Sequence, residues 1–146
     1  MEYYLNIIKQ NNLKLTLRRI AVIKLLLNEH RLFTVAEVRH RLKNDFSRVG
    51  LPTVYRILQQ FREIGLVQTA LSANDHLRYF ICTSRKHDHH HFICSQCDRV
   101  YCLDYCQQNQ IEKYIETELH ARADYHYLQI VGLCEHCRLP KAQDSD

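Results

Sequence analysis

The residues best suited to chemistry lie in one short stretch, His87–Cys97, which contains four histidines, one aspartate and two cysteines. Its Cys-x-x-Cys pair, Cys94 and Cys97, is followed later in the chain by a second pair, Cys134 and Cys137. Two such pairs can close a tetrahedral zinc site of four thiolates, in which no coordination position stays open for chemistry. The spacing therefore predicts a structural zinc whose binding free energy contributes directly to folding.

Other potential ligands surround these cysteines, and their assignment stays open. Alternation along an extended strand places His89 and His91 on the same side, and Asp88 and His90 then face the opposite side. A lone histidine is more often structural or solvated, but a run of this kind beside four cysteines favours metal binding. Further candidate donors are His76, Cys82, His87, Cys102 and His126.

The seven cysteines could instead form a disulfide framework, but their odd number argues against it. The chain has no apolar run of the roughly 18 residues that a membrane span needs, and it begins without a signal-peptide pattern. We therefore expect a cytoplasmic protein, in which thiols stay reduced and metal binding is the better interpretation.

Charge divides the chain into two unlike halves. Residues 1–80 carry 13 Lys and Arg against 6 Asp and Glu, whereas residues 81–146 carry 7 against 10. A basic half joined to a slightly acidic, ligand-rich half indicates a nucleic-acid-binding module beside a metal-binding module. An uneven solvated surface is the simpler alternative on charge alone.

Apolar spacing in the basic half predicts four helices. The first covers residues 3–11, the second follows Thr16 as its N-cap, and the third follows Thr34. The fourth begins after the break at Gly50 and ends at Gly65. Its polar face consists of Thr53, Tyr55, Arg56, Gln59, Gln60 and Arg62.

That polar face carries an aromatic ring and hydrogen-bond donors suited to phosphates and base edges. Two β-like runs, 66–71 and 77–82, follow the fourth helix and are joined by a polar turn, which predicts a hairpin. Helices followed by a hairpin form a winged helix-turn-helix, whose last helix would bind in the major groove. The alternative is a small helical bundle whose polar face lies in solvent.

The ligand-rich half predicts a small α/β unit. We expect strands over 87–94, 100–103 and 125–133, with a helix over 106–120 before the last strand. The polar tail after Pro140 is expected to be disordered. The predicted fold class is α+β, with a winged helix-turn-helix over residues 1–82 and an α/β domain over residues 83–146.

Four segments carry a likeness to known proteins: Leu13–Arg19, Leu51–Arg56, His89–Cys97 and Val131–Cys137. Together they resemble the ferric uptake regulator family of bacterial metal-dependent repressors. The resemblance implies a homodimer whose winged helix binds a palindromic, AT-rich DNA operator and whose α/β domain dimerises and binds metal. The two cysteine pairs would hold the structural Zn²⁺. By motif position and helix face, the DNA-contacting residues would be Lys14, Arg19, Thr53, Tyr55 and Arg56.

The ligands at the hinge between the two domains distinguish the branches of this family. Iron and peroxide sensors typically place a histidine and a carboxylate where this chain has Phe33 and Phe80. Zinc sensors place a cysteine at the end of the wing, which Cys82 matches, and histidines that His89 and His91 match. Thiolate and imidazole suit zinc better than iron(II). The resemblance therefore favours a zinc uptake regulator that represses metal-uptake genes. A regulator responsive to Fe²⁺, Mn²⁺ or peroxide is the alternative.

The likeness is incomplete at the regulatory sites. The early wing position that would hold another ligand aligns near Gln68, so the fourth ligand is open between His76, His87 and Cys102. A second regulatory site of the family would use His90, His126 and a carboxylate from the helix. The aligned helical position holds Asn109, with Glu112 nearby, so this chain departs from the family there. The candidates for this site are Asp88, His90, Glu112 and His126.

The proposed mechanism is a clamp across the hinge, since Cys82 belongs to the first domain and the histidines to the second. A zinc hydrolase or deaminase would need a signature such as His-Glu-x-x-His, which the sequence lacks, so we expect no enzyme. A thiol redox switch that uses Cys82, Cys102 or Cys106 is a further alternative.

Overall fold

The computed structural model of the chain describes residues 1–71, 76–84, 90–103, 107–126 and 128–139. The predicted ligands His87, Asp88 and His89 lie outside these ranges, as do Cys106 and the tail from Pro140. The helices and strands within the described ranges are α1 (Glu2–Gln10), α2 (Leu17–Glu29), α3 (Val35–Leu42), α4 (Leu51–Glu63), β1 (Gln68–Leu71), β2 (Leu77–Phe80), β3 (His90–Cys94), β4 (Val100–Leu103), α5 (Gln108–Leu119), β5 (Gln129–Gly132) and α6 (Glu135–Arg138).

Local hydrogen bonds start the early helices where the sequence predicts them. The Thr16 side chain accepts a hydrogen bond from the backbone N–H of Arg19, 3.3 Å away, at the start of α2. Thr34 and Glu37 form a capping box at the start of α3. Gly65 follows α4 with φ of 69°, a conformation that glycine adopts without a steric penalty. The predicted caps and the predicted glycine stop are confirmed.

The core of the basic half is built on the apolar face of α4. Val54, Leu58 and Phe61 are fully buried on this face, at the spacing of one side of a helix. They share a cluster with Ile8 of α1 and Val22 of α2. Truncating a buried phenylalanine to alanine typically costs about 3–5 kcal/mol, so this packing fixes which face of α4 is turned to solvent.

The wing is a two-stranded antiparallel sheet, β1 with β2, in which Ala70 lies opposite Arg78. The predicted hairpin is confirmed, with strands shorter than expected. The segment before α3 joins it, because Phe33 and Tyr79 exchange two backbone hydrogen bonds of 2.8 Å each. The first half is thus a winged helix-turn-helix, and the wing is fixed to the helices by backbone pairing.

The second half contains a three-stranded sheet in the order β4-β3-β5. The central strand, β3, is antiparallel to β4 and parallel to β5. Strand β4 lies where predicted, whereas β5 is limited to Gln129–Gly132 within the longer run expected. The mixed sheet brings the end of β3 and the end of β5 to the same edge, which is where the two Cys-x-x-Cys pairs begin.

The two halves are joined by backbone and side-chain contacts around Asp98. The backbone N–H of Leu32 donates to the Asp98 carbonyl, and that of Val100 donates to the His30 carbonyl. The Asp98 carboxylate pairs with Arg78 of the wing. A small buried cluster of Leu32, Ala70, Phe80 and Ile93 lies across the same junction. The first helices and the wing are therefore packed directly on the sheet that carries the candidate metal ligands.

Candidate metal centres and nucleic-acid interface

The four predicted zinc-binding cysteines, Cys94, Cys97, Cys134 and Cys137, converge on one point. Their four sulfur atoms all lie within 4.8 Å of one another. The Sγ atoms of Cys97 and Cys134 are 3.8 Å apart. Zinc–sulfur bonds of about 2.3 Å in a tetrahedron give edges of about 3.8 Å. The geometry and the donor set therefore fit a zinc site of four thiolates, called here the four-cysteine site.

Backbone hydrogen bonds position the two cysteine pairs against each other. The backbone N–H of Ser95 donates to the Gly132 carbonyl over 2.7 Å, so the turn after β3 is bonded to the end of β5. The backbone N–H of Cys134 donates to the Cys94 sulfur, 3.4 Å away. An added Cβ on Gly132 would lie 3.1 Å from the Phe92 ring, so this close approach favours glycine.

Backbone hydrogen bonds lower the pKa of two of the four thiols, those of Cys94 and Cys134. Burial opposes ionisation of Cys94, yet backbone N–H groups that include that of Cys134 lower its pKa to about 6. Burial also opposes ionisation of Cys134, and the backbone N–H of Cys137 still lowers the pKa of this thiol. Cys137 itself donates to a neighbouring sulfur, which raises its pKa to about 12. Thiolates are the form that binds zinc, so binding here would release protons from the remaining thiols.

A second group of donors lies at the junction of the two halves: Cys82, His91 and Cys102, called here the junction cluster. Their ligand atoms lie within 4.8 Å of one another. Cys82 follows the second wing strand, whereas His91 and Cys102 lie opposite each other in the β3–β4 pairing. The cluster therefore takes one donor from the winged-helix half and two from the other half.

The surroundings of the junction cluster are partly apolar. His91 is buried, and its ring meets Phe80 edge to face with centroids 5.0 Å apart. Burial, reinforced by a hydrogen bond with the Cys102 thiol, raises the pKa of Cys82 to about 12. Phe33 and Phe80 are buried core residues. Two sulfur donors and one imidazole suit a borderline-soft metal.

The other candidate ligands among the described residues lie outside the junction cluster. His76 is exposed, directly before the second wing strand, and is not grouped with the junction cluster. On the other side of β3, the Nε2 atoms of His90 and His126 are 3.0 Å apart. Within the described part of the chain, Glu112 forms no three-ligand group with this pair. The structure thus brings together the two histidines, and of the two candidate carboxylates Asp88 lies outside the described residues.

The polar face of α4 presents the predicted DNA-contacting residues to solvent. Tyr55 is 51% exposed and Arg56 is also exposed, while Thr53 is half-buried. A groove between the start of α2 and α4 is lined by these α4 residues except Tyr55, together with Lys14 and Arg18. Arginine, lysine and threonine side chains of this kind commonly supply phosphate contacts to DNA.

Arg19, the remaining predicted DNA contact, is engaged within the protein. Its guanidinium donates to the Gln60 side chain over 2.6 Å and to the Lys14 carbonyl over 2.5 Å. It therefore links the start of α2 to α4, across 41 positions of sequence. Arg18 takes a similar role, donating to the Arg48 carbonyl over 3.0 Å. Sequence spacing alone does not indicate these links.

The sequence and the fold of this chain are similar to those of known regulators. The model of the ferric uptake regulator family matches residues 10–131. The peroxide-responsive repressor PerR of Staphylococcus aureus (strain Mu50) is 28% identical over 131 residues, covering 90% of this chain and 86% of that protein. The ferric uptake regulator of Francisella tularensis, solved with iron, is 26% identical with a TM-score of 0.66, covering 86% and 95% of the two chains.

A zinc uptake regulator solved in complex with zinc and DNA matches with a TM-score of 0.69. Its sequence is 23% identical, and the match covers 90% of this chain and 88% of that one, so this likeness concerns the fold. Among the described residues, no helix is both long enough and apolar enough to span a membrane.

Proposed function

Because the chain belongs to the ferric uptake regulator family of metal-responsive transcription regulators, we propose that it is a zinc-responsive repressor of metal-uptake genes. The observation that carries the proposal is the junction cluster. Two sulfur donors beside one imidazole favour zinc over iron(II), which prefers oxygen and nitrogen ligands. Phe33 and Phe80 offer no donor at the positions that typically hold iron ligands.

The main alternative is a regulator that senses iron, manganese or peroxide. The similarity to a peroxide-responsive repressor supports it, as does the similarity to an iron-bound regulator. Against it, the described donors at the junction are two thiols and one histidine. The remaining ligand would come from His89 or His87, which lie outside the described residues, or from His76 after movement of the wing.

We assign the structural zinc to Cys94, Cys97, Cys134 and Cys137. When bound, zinc would supply a tetrahedral crosslink between the end of β3 and the end of β5. The chain prepares for it with backbone N–H groups directed at the Cys94 sulfur. These cysteines would hold the second sheet together and take no part in sensing, since four thiolates leave no open position.

The proposed regulation depends on the fact that the two domains each supply ligands to the same zinc site. We place the DNA-binding domain at residues 1–82 and the dimerisation domain at residues 83–146. Cys82, His91 and Cys102 would hold the regulatory Zn²⁺, which would supply a link between the end of the wing and the strands β3 and β4. This link would shift the population toward one interdomain angle, by no more than the difference in zinc affinity between the angles.

DNA binding as a homodimer is supported by two exposed surfaces. The polar face of α4 carries Tyr55 and Arg56 into solvent. On α5, Ile111, Tyr114 and Leu119 are 50–61% exposed in the single chain, a contiguous apolar side that a second copy would cover. A dimer with two-fold symmetry would present two α4 helices to a palindromic, AT-rich operator. We place the protein in the cytoplasm, because the DNA operator that it would bind is located there.

The test is metal analysis combined with DNA binding. An operator would be selected from a random DNA pool by the zinc-loaded protein, and affinity would be measured with zinc, iron(II) or manganese(II). We expect one zinc that resists mild chelation, a second that is exchangeable, and DNA binding that follows the second. A response to iron(II) without a response to zinc would overturn the assignment of the sensed metal.

A further inference from the structure

The sulfur atoms of Cys82 and Cys102 lie closer together than zinc coordination requires. Their separation is 3.3 Å, whereas two thiolates on one tetrahedral zinc lie about 3.8 Å apart. A disulfide needs about 2.05 Å. The two thiols are therefore in direct contact, and the motion needed to join them is on the order of 1 Å.

Solvent access differs from one cysteine to another. In the junction cluster Cys102 is exposed and Cys82 is half-buried. In the four-cysteine site Cys97 is exposed and Cys137 is half-buried, whereas Cys94 and Cys134 are buried. An oxidant in solution can therefore reach the Cys102 sulfur directly. The Cys82 sulfur lies behind it, in hydrogen-bonding contact. This arrangement has an attacking thiol at the surface and a resolving thiol beside it.

We propose that Cys82 and Cys102 form a disulfide when the protein lacks its regulatory zinc and meets hydrogen peroxide. The Cys102 thiol loses its proton to solvent, and its sulfur attacks one peroxide oxygen. The O–O bond breaks, which leaves a sulfenic acid and a hydroxide that takes up a proton from solvent to become water. The Cys82 thiol then attacks that sulfur, forms the S–S bond and releases a second water. The two thiols lose two electrons and hydrogen peroxide gains them.

The consequence rests on the proposed zinc-sensing function. A disulfide sulfur is no longer a thiolate, and the thiolate is the form that binds the metal. Oxidation would remove two of the three described donors and covalently join the end of the wing to β4. Zinc and peroxide would then compete for the same pair of sulfur atoms, so the oxidised protein would not respond to zinc.

The experiment treats the full-length protein with hydrogen peroxide after mild chelation has removed only exchangeable zinc. Tryptic peptides are separated without reduction and identified by mass spectrometry. The peptide 79–85 contains only Cys82, whereas the peptide 100–113 contains both Cys102 and Cys106. The variant Cys106→Ser assigns the bond, because it should still form the crosslink, whereas Cys102→Ser should not.

We expect the crosslinked peptide in most of the metal-depleted protein and recovery of zinc binding after dithiothreitol. A Cys102–Cys106 bond, or only sulfinic acid at Cys102, would overturn the inference while leaving the zinc site intact. Preloading with zinc should reduce crosslink formation at least tenfold. Equal crosslinking with and without zinc would instead contradict zinc binding at this cluster, and with it the competition proposed here.

Discussion

The backbone N–H of Leu32 donates to the carbonyl of Asp98 over 2.9 Å, and this bond joins the residues after α2 to the first cysteine turn. Asp98 adopts φ of 59° directly after Cys97, and its carboxylate reaches Arg78 on the wing. One residue thus connects the turn of the four-cysteine site to both the helices and the wing. The position of the DNA-binding half depends on a turn that zinc would stabilise.

The first prediction tests that connection with Asp98→Asn. Asparagine tolerates the left-handed backbone at this position but removes the charge that pairs with Arg78. We expect a loss of about 1–2 kcal/mol in the free energy of unfolding, because the two side chains are only 19% and 25% exposed. Urea unfolding measures it.

The matched control is Asp124→Asn, which breaks an ion pair with Arg122 whose side chains are 73% and 88% exposed. Such a pair contributes little, so the change should stay within about 0.5 kcal/mol. Equal effects of the two variants would contradict a structural role for the Asp98 contact.

The second prediction concerns the structural zinc. Cys134→Ser should remove that zinc and unfold the second sheet, since β3 and β5 lose their common crosslink. We expect a lower melting temperature and loss of amide protection across β3 and β5. Cys102→Ser is the control, because it leaves all four structural cysteines in place. An unchanged melting temperature with the zinc absent would show that the sheet does not depend on it.

The third prediction concerns Arg56 on the exposed face of α4. Arg56→Ala should weaken operator binding by about 1–3 kcal/mol if its guanidinium contacts a base, with the loss confined to one operator position. A phosphate contact would instead weaken binding to all sequences and reduce the salt slope by about one. Affinity titrations over a salt range on matched and mutated operators separate the two. Unchanged affinity would remove Arg56 from the interface, and Arg122→Ala serves as the control.

The fourth prediction is a pH dependence at the start of α3. Partial burial would raise the pKa of Glu37, but hydrogen bonds from Thr34 and Arg31 outweigh it and hold the pKa below its usual 4.5. The folded state therefore binds this proton less readily than the unfolded state. The resulting stability is present above pH 4.5 and is lost as the pH falls through the lower folded value.

Glu37→Gln keeps a residue that suits the capping box but removes the charge. Its stability deficit against the natural chain should be largest near neutral pH and should shrink as the pH falls below 4.5. Urea unfolding across this range gives the difference. Glu63→Gln, at the exposed end of α4, is the control. A deficit independent of pH would mean that the Glu37 charge has no part in stability.

The features predicted from the sequence are set either by neighbours in the chain or by a recognisable pair of metal-binding turns. The N-caps at Thr16 and Thr34 depend on residues three positions away. The period of Val54, Leu58 and Phe61 depends on one helix. The convergence of the cysteine pairs follows from their spacing and from the few ways a metal can close two such turns.

The features that sequence reasoning missed depend on packing between distant segments. Nothing local indicates that Arg19 is held by Gln60, or that Asp98 pairs with Arg78. Both contacts exist only once distant segments are assembled. Cys82 and Cys102 are candidate ligands of one site on sequence grounds, whereas the direct contact of their sulfur atoms depends on the end of the wing meeting β4 at the junction.

The most direct test of zinc sensing compares zinc-dependent operator binding by the natural chain and by Cys82→Ser. Both proteins would carry the structural zinc, verified by elemental analysis, and operator affinity would be measured while exchangeable zinc is added. Zinc should raise the affinity of the natural chain and leave that of Cys82→Ser unchanged, because the wing loses the donor that it contributes to the junction cluster. Equal zinc dependence in the two proteins would contradict a sensing site that bridges the two halves.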